Sequence, residues 1–444
     1  MSDIAASPPA AGEGRKTSLL RETDRVRKRN AAERRFELYG MAAVGIGLLA
    51  LAFLLLSILG NGLSSFRQTF VDVPVALDPV AIEEAEASVV KTSRYRDIIE
   101  GAFVSALEAR GLLEGIDPEE AAGIISEEAP AQFRDYVRAN PEAVGRPGEF
   151  TFLVNGRIDG FFKGRVTFES AELDGNVTPA QLRLAERLAG AGLIDTRFNW
   201  AFFTAPDASG QRPEAAGLGV AILGSAYMML VVLFLALPIG VAASIYLEEF
   251  APRNRFTDII EVNISNLAAV PSIVFGILGL AIFINFAGLP QSAPIVGGLV
   301  LTLMTLPTII IATRSALKAV PPSIRDAALG VGASKLQSVF HHVLPLAAPG
   351  ILTGTILGLA QALGETAPLL LIGMVAFVGE YPDAPPEGLF DPATALPVQV
   401  YNWTQKADPA FVERASGAII VLLAFLVVMN AIAILLRRRF ERRW

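Results

Sequence analysis

Arg314 and Glu365 are ionisable residues that lie against or within long apolar runs. A charged group inside hydrocarbon is costly, so such residues are functional candidates by default. Glu365 stands in Leu363-Gly364-Glu365-Thr366-Ala367-Pro368-Leu369, with Gln361 about one helical turn before it. Arg314 closes the run 294–313 and carries a planar fork suited to bidentate contact with an oxyanion. Thr302, Thr305, Thr308 and Thr313 on that run offer hydroxyls, although backbone carbonyls of the same helix take such hydroxyls more often. Pro368 lacks an N–H, so a helix break is predicted beside Glu365 and Thr366. An ionised Glu365 repels anions. Its expected role is a salt bridge that positions an arginine, or gating, rather than direct binding.

A second constellation lies at 321–345 and is built for mechanics rather than catalysis. Pro321-Pro322 ends the preceding helix, and Ser323 is a candidate cap for a short helix through Asp326, Ala327 and Ala328. Gly332 allows a sharp reversal. Leu336, Val339, Phe340 and Val343 follow at helical spacing, predicting one apolar face on a second short helix that Leu344-Pro345 stops. A helix pair of this kind can seat its apolar face in a partner's groove. Bond-making chemistry finds little here. There is no cysteine, and both histidines, His341 and His342, lie in this stretch, so no metal site is expected. Gly330-Val331-Gly332-Ala333-Ser334-Lys335 lacks the spacing that cradles nucleotide phosphates.

The elements that must position these groups are membrane helices. The chain has 444 residues, 52% hydrophobic and 18% charged, too apolar for an ordinary soluble domain. Runs of about 20 residues, enough to cross a bilayer, occur near 38–60, 218–246, 264–287, 294–313, 350–378 and 416–436. Nine Lys/Arg precede residue 38, and the tail carries Arg437-Arg438-Arg439 and Arg442-Arg443. The positive-inside rule then places both termini in the cytoplasm, with the first span an uncleaved anchor.

Residues 1–37 form the basic lead, 38–60 the first span, 61–217 an inserted extracytoplasmic domain, 218–436 the membrane core and 437–444 the basic tail. The inserted domain carries 25 acidic and 15 basic side chains. It reads as α-rich and mixed. Helix starts are predicted at Asp78-Pro79, Asp117-Pro118 and Thr178-Pro179, a helix over 95–113, and a two-residue hairpin turn at Asn155-Gly156. It shows no nucleophile motif or metal-spaced cluster, and a packed accessory domain is the expectation. A membrane-anchored sensor or scaffold would need a cytoplasmic output domain, for which the loops are too short.

The spacing Asp326-Ala327-Ala328, Gly332, Leu344-Pro345 resembles the EAA coupling loop of ABC importer permeases, with Asp326 in place of Glu and His342 where a hydrophobe is usual. GETAPLL (364–370), VPSIVFGILGLAIF (270–283) and ALPIGVAASIYLEEF (236–250) resemble phosphate importer permeases of the PstA type. The resemblance implies an all-α polytopic fold of six MetI-like transmembrane helices in a bacterial inner membrane, carrying the inserted domain. It implies that Asp326, Ala327, Ala328, Gly332, Leu336, Phe340, Leu344 and Pro345 couple to a separate ATPase dimer that binds ATP and Mg. It implies a translocation pathway using Arg314, Gln361, Glu365 and Thr366, and no enzyme activity in this chain. The expected partners are a second, similar permease, a periplasmic phosphate-binding protein and membrane lipid, and no nucleic acid. Gln361 stands where those permeases carry an arginine, and Arg314 is displaced from their other one at Ile311. Another oxyanion, sulfate or molybdate, therefore stays open as the solute.

Overall fold

The computed structural model describes residues 24–208 and 210–440. The expected basic lead up to residue 23 and the last four residues of the tail lie outside the described residues. Two compact units divide at Ser57 and Ile58. Helix α1 (Asp24–Gly62) supplies the first, and its last turn belongs to the second.

After α1 comes a three-stranded antiparallel sheet, β1 (Arg67–Ala76), β2 (Pro147–Leu153) and β3 (Ile194–Phe198), in the order β2-β1-β3. Helices α2 (Pro79–Ala87), α3 (Lys91–Ala109), α4 (Pro118–Ala122), α5 (Ala129–Ala139), α6 (Gly156–Phe162), α7 (Phe168–Ala171) and α8 (Pro179–Gly190) accompany the sheet. Val71, Val73 and Val75 of β1 meet Ile99, Phe103 and Leu107 of α3 in one core. Asp78, Asp117 and Thr178 cap their helices as expected, each accepting a backbone N–H.

The hairpin at Asn155-Gly156 does not form. Asn155 instead accepts the Arg157 N–H at 2.9 Å and opens α6. The following Phe161-Phe162 stretch is helical, and β2 pairs with the distant β1, Val73 opposite Phe150. An Asn side chain serves a tight turn or a helix cap equally well, and tertiary pairing decides between them. Pro74 is tolerated in the central strand because β3 pairs only with Arg67–Val71, leaving that edge free at Pro74.

A turn, α9 (Ala201–Thr204), leads into α10 (Gly219–Ile245), which continues through a π-helical turn at Tyr246–Phe250. Then come α11 (Arg255–Leu267), α12 (Ser272–Gly279) with a π-helical extension Leu280–Phe286, and α13 (Pro294–Lys318). Next are α14 (Pro322–Gly330), α15 (Lys335–Ser338), α16 (Leu344–Gly364), α17 (Ala367–Leu371), α18 (Leu396–Thr404) and α19 (Pro409–Phe440).

Among the described residues five helical stretches are long and apolar enough to cross a membrane. The expected span 264–287 is different: α11 and the helix from Ser272 meet at 102°, so this is a bent pair. Pro271, with no N–H to continue the helix, sits at the bend. The expected stop at Leu344-Pro345 is also absent. α15 and α16 join through a π-helical turn, Val339–Val343, into one stretch from Lys335 to Gly364. A π turn just before a proline absorbs its missing donor and its clash with the preceding turn.

α13 packs between α10 and α16 by small-residue contact, the membrane substitute for a hydrophobic driving force. Gly354 lies on Ala312 and Gly350 on Ala316, so closely that an added β-carbon would approach within 2.3 and 2.7 Å.

Candidate coupling loop and translocation residues

The segment 321–345 is a bent helix pair. α14 starts at Pro322 with Pro321 as its N-cap; Ser323 lies inside the first turn and is not the cap. Gly332 has φ +89°, the left-handed region that favours glycine, so the reversal expected there forms. Ser334 accepts the Gln337 N–H at 3.2 Å while Gln337 accepts that of Ser334 at 2.9 Å, a reciprocal capping box that starts α15.

The single apolar face expected from Leu336, Val339, Phe340 and Val343 is in fact two adjacent stripes. Val339 and Val343 are buried with Ile245, Leu317, Val320, Ala347 and Ile351. Leu336 and Phe340 point outward, and with Leu329 and Val331 they form an exposed apolar set, Val331 at 86% exposure. Ala328 is buried; Asp326 and Ala327 are exposed, as is Pro345, with Leu344 half-buried. The inner stripe holds the loop to α10, α13 and α16, and the outer stripe is exposed.

What fixes the loop rigidly was not foreseen. Arg325 of α14 gives Glu249 hydrogen bonds at 2.6 and 3.1 Å. It also donates to the carbonyls of Leu317 and Val320, at 2.9 and 2.8 Å, at the end of α13. One guanidinium therefore joins α14, the π turn of α10 and the end of α13. Five fixed donors make arginine able to do this where lysine is not. The neighbouring Glu248 takes Arg314 at 3.4 Å and Lys318 at 3.5 Å, and Glu261 on α11 takes Arg314 at 2.6 Å.

Two carboxylates therefore hold Arg314. Thr302, Thr305 and Thr313 are buried, and Thr305 donates to the Leu301 carbonyl at 2.9 Å, so these three do not line an open face.

At the other end of α16 the predicted break is present. Gly364 ends the helix, Glu365 adopts extended backbone and α17 restarts at Ala367. Gly276 of α12 packs against the Pro368 backbone, 2.7 Å from where a β-carbon would sit. Gln361 is exposed, Glu365 and Thr366 half-buried. The salt bridge expected for Glu365 is missing: no ion pair of Glu365 occurs among the described residues. From the pairing of 312 with 354, Arg314 lies about 13 residues, or ~20 Å at 1.5 Å per residue, from Glu365 along α16. Gln361 in the last turn of α16 and Glu365 and Thr366 in the break lie at one end of that helix, and Arg314 lies apart from them.

The inserted domain is bound to the start of α19 by a buried ionic network. Lys163 bridges Asp159 at 2.7 Å and Glu413 at 3.1 Å, and Arg165 pairs with Glu413. Arg414 donates to Gln68 at 2.6 Å and to the Glu214 carbonyl at 2.9 Å. Glu214 accepts the Ser126 hydroxyl at 2.5 Å, and burial pushes its carboxyl up to about 7. No group of three or more His, Cys, Asp or Glu that could hold a metal occurs among the described residues.

Residues 236–444 match the family model "Binding-protein-dependent transport system inner membrane component", and residues 23–172 match a domain of unknown function, DUF3333. A "Probable ABC transporter permease protein YqgI" of Bacillus subtilis is 33% identical over 230 residues, 49% of this chain and 78% of the relative. A "Phosphate transport system permease protein PstA" of Mycobacterium leprae is 32% identical over 251 residues, 56% of this chain and 79% of the relative. A solved chain of the MetNI methionine ABC transporter aligns over 50% of this chain and 97% of its own length, with TM-score 0.40 and 15% identity. The sequence relatives, each matched over more than two thirds of its length, show the family: this chain is a binding-protein-dependent transport system inner-membrane component, a multi-pass permease subunit of an ABC importer.

Proposed function

We propose that this subunit imports inorganic phosphate. The observation that carries the reading is the match to phosphate transport system permeases over more than three quarters of their length, at 32% identity in Mycobacterium leprae and in Xylella fastidiosa. The helix break at Glu365, within GETAP, lies inside that resemblance.

In this reading a second, similar permease faces the exposed Gln361 side of α16 and completes the pathway with Gln361, Glu365 and Thr366. A binding protein delivers phosphate on the side of the inserted domain. An ATPase dimer, which binds ATP and Mg, seats Leu329, Val331, Leu336 and Phe340 on the other side. ATPase closure pulls α14, and Arg325 passes the movement to α10 and α13. Arg314 holds α11 to that assembly and serves the pathway through position rather than contact. Both termini lie in the cytoplasm, residues 1–37 and 437–444 among them, and residues 61–217 lie outside.

Uptake of labelled phosphate and labelled sulfate tests this, in cells stripped of their own importers for both and given the gene with its partner subunits. Energy-dependent phosphate accumulation that Glu365→Gln reduces is the expected result. Accumulation of sulfate without phosphate would overturn the phosphate reading and leave the family assignment intact.

A further inference from the structure

A patch on the inserted domain has the composition of a membrane-interface belt. Phe198 and Trp200 stack edge to face at 4.7 Å, and Phe198 also stacks on Phe66 and Phe203 at 6.4 and 6.2 Å. Trp200 is 71% exposed and Phe198, in contact with it, 48%; Leu63, three residues before Phe66, is 55% exposed. Among the described residues the Trp200 indole N–H has no partner, unlike that of Trp403, which bonds Asp207 at 2.9 Å. Arg67 stands directly opposite Phe198 in the β1–β3 ladder, so the two side chains share one face of the sheet. Arg67 is exposed and makes no ion pair among the described residues.

The depth of the patch is set by backbone bonds to the spans. Asn199 donates its N–H to the Phe66 carbonyl at 2.9 Å, just after α1 ends. The N–H groups of Leu218 and Gly219, which open α10, bond the carbonyls of Phe202 and Ala205 at 2.8 and 2.9 Å. Ser65 donates to the Glu413 carbonyl at 2.9 Å, one turn before the apolar part of α19. The segment after α1 and the starts of α10 and α19 are therefore all bonded to this turn or to each other beside it. Tryptophan, an apolar ring with one polar edge, is favoured at the membrane–water interface, and arginine there meets lipid phosphate.

We propose that Leu63, Phe198, Trp200 and Arg67 seat the inserted domain on the lipid leaflet on its own side of the membrane. The rings lie at headgroup depth and the guanidinium on lipid phosphate. The domain then rests on lipid at this edge while its buried ionic network grips α19, so that it moves with the last span instead of swinging on a tether. This is independent of which solute is carried.

The absence of cysteine makes the test direct. Trp200→Cys and, separately, Val89→Cys, which is fully exposed between α2 and α3, are introduced into the full chain. Each is labelled with bimane in the assembled transporter and placed in nanodiscs of phosphatidylcholine and phosphatidylglycerol. Nitroxide lipids labelled at shallow depth are expected to quench the label at 200 several-fold more than that at 89, with iodide showing the reverse order. Phe198→Cys repeats the measurement should Trp200→Cys fail to assemble. Equal iodide quenching at 198 or 200 and at 89 overturns the proposal. So does shielding from both iodide and nitroxide lipid, which would assign the patch to a protein partner.

Discussion

Arg325 shows how one side chain ties a loop to two helices. It closes a three-way joint among α14, the Glu249 carboxylate and the end of α13. Arg325→Ala strands a carboxylate whose side chain is 7% exposed, and Arg325→Lys cannot serve Glu249 and two carbonyls together. Solute uptake at normal membrane abundance is expected to fall about tenfold or more in the first variant and several-fold in the second, tenfold in rate corresponding to about 1.4 kcal/mol. Unchanged uptake in Arg325→Ala would show that the joint carries no force. Glu214 gives a pH signature. Burial, with Asp159 adding, raises it from 4.5 to about 7 against the pull of Ser126 and Arg414. Between those values the folded chain holds a proton that the unfolded chain has lost, so stability falls as pH rises from about 4.5 to about 7. The loss amounts to about 3 kcal/mol. Thermal unfolding of the purified transporter should show that slope, and Glu214→Gln should flatten it. None of these partnerships was legible in the sequence, because Glu249 and Arg325, or Glu214 and Arg414, are brought together only by packing. The helix caps at Asp78, Asp117, Thr178 and Ser334 are local bonds across two or three residues, and the first three were read directly.

At the scale of elements, local chemistry carried most of the information. Prolines and glycines marked where helices end: Pro321-Pro322 after α13, Gly332 between α14 and α15, and Gly364 before α17. Gly332 at φ +89° predicts an order of uptake for substitutions there, Gly above Asn above Ala above Val, following the steric cost of left-handed backbone. An equal rate for Val would remove the bend from the mechanism. Gly276 tests the broken segment. A side chain there meets the Pro368 backbone, which cannot rotate away, so Gly276→Leu should lower stability by about 1–3 kcal/mol as an overpacked core does, visible as a lower unfolding temperature. Period alone failed where two faces lie side by side. Leu336, Val339, Phe340 and Val343 fit one helical stripe in sequence, yet the π turn splits them into an inner and an outer pair. Apolar runs likewise located spans without showing that 264–287 is bent by 102° or that 335–364 is continuous.

For the molecule as a whole, the loop and the inserted domain hold opposite ends of α10. The loop grips the ends of α10 and α13, while the domain grips the starts of α10 and α19. A push on the loop end of α10 therefore meets a helix whose other end the domain holds. The sequence disclosed the transport core through its apolar runs and its resemblance to known permeases; it did not disclose that the domain is tied down by buried charge rather than hinged. In the proposed function the exposed side of 321–345 is an ATPase dock. Ser334→Cys in the otherwise cysteine-free chain, treated with a short thiol cross-linker in the assembled transporter, measures this directly. A cross-linked product with the ATPase subunit, altered by ATP, is the predicted result. Labelling of the same cysteine by an impermeant reagent added on the side of the inserted domain, with no ATPase product, would contradict it.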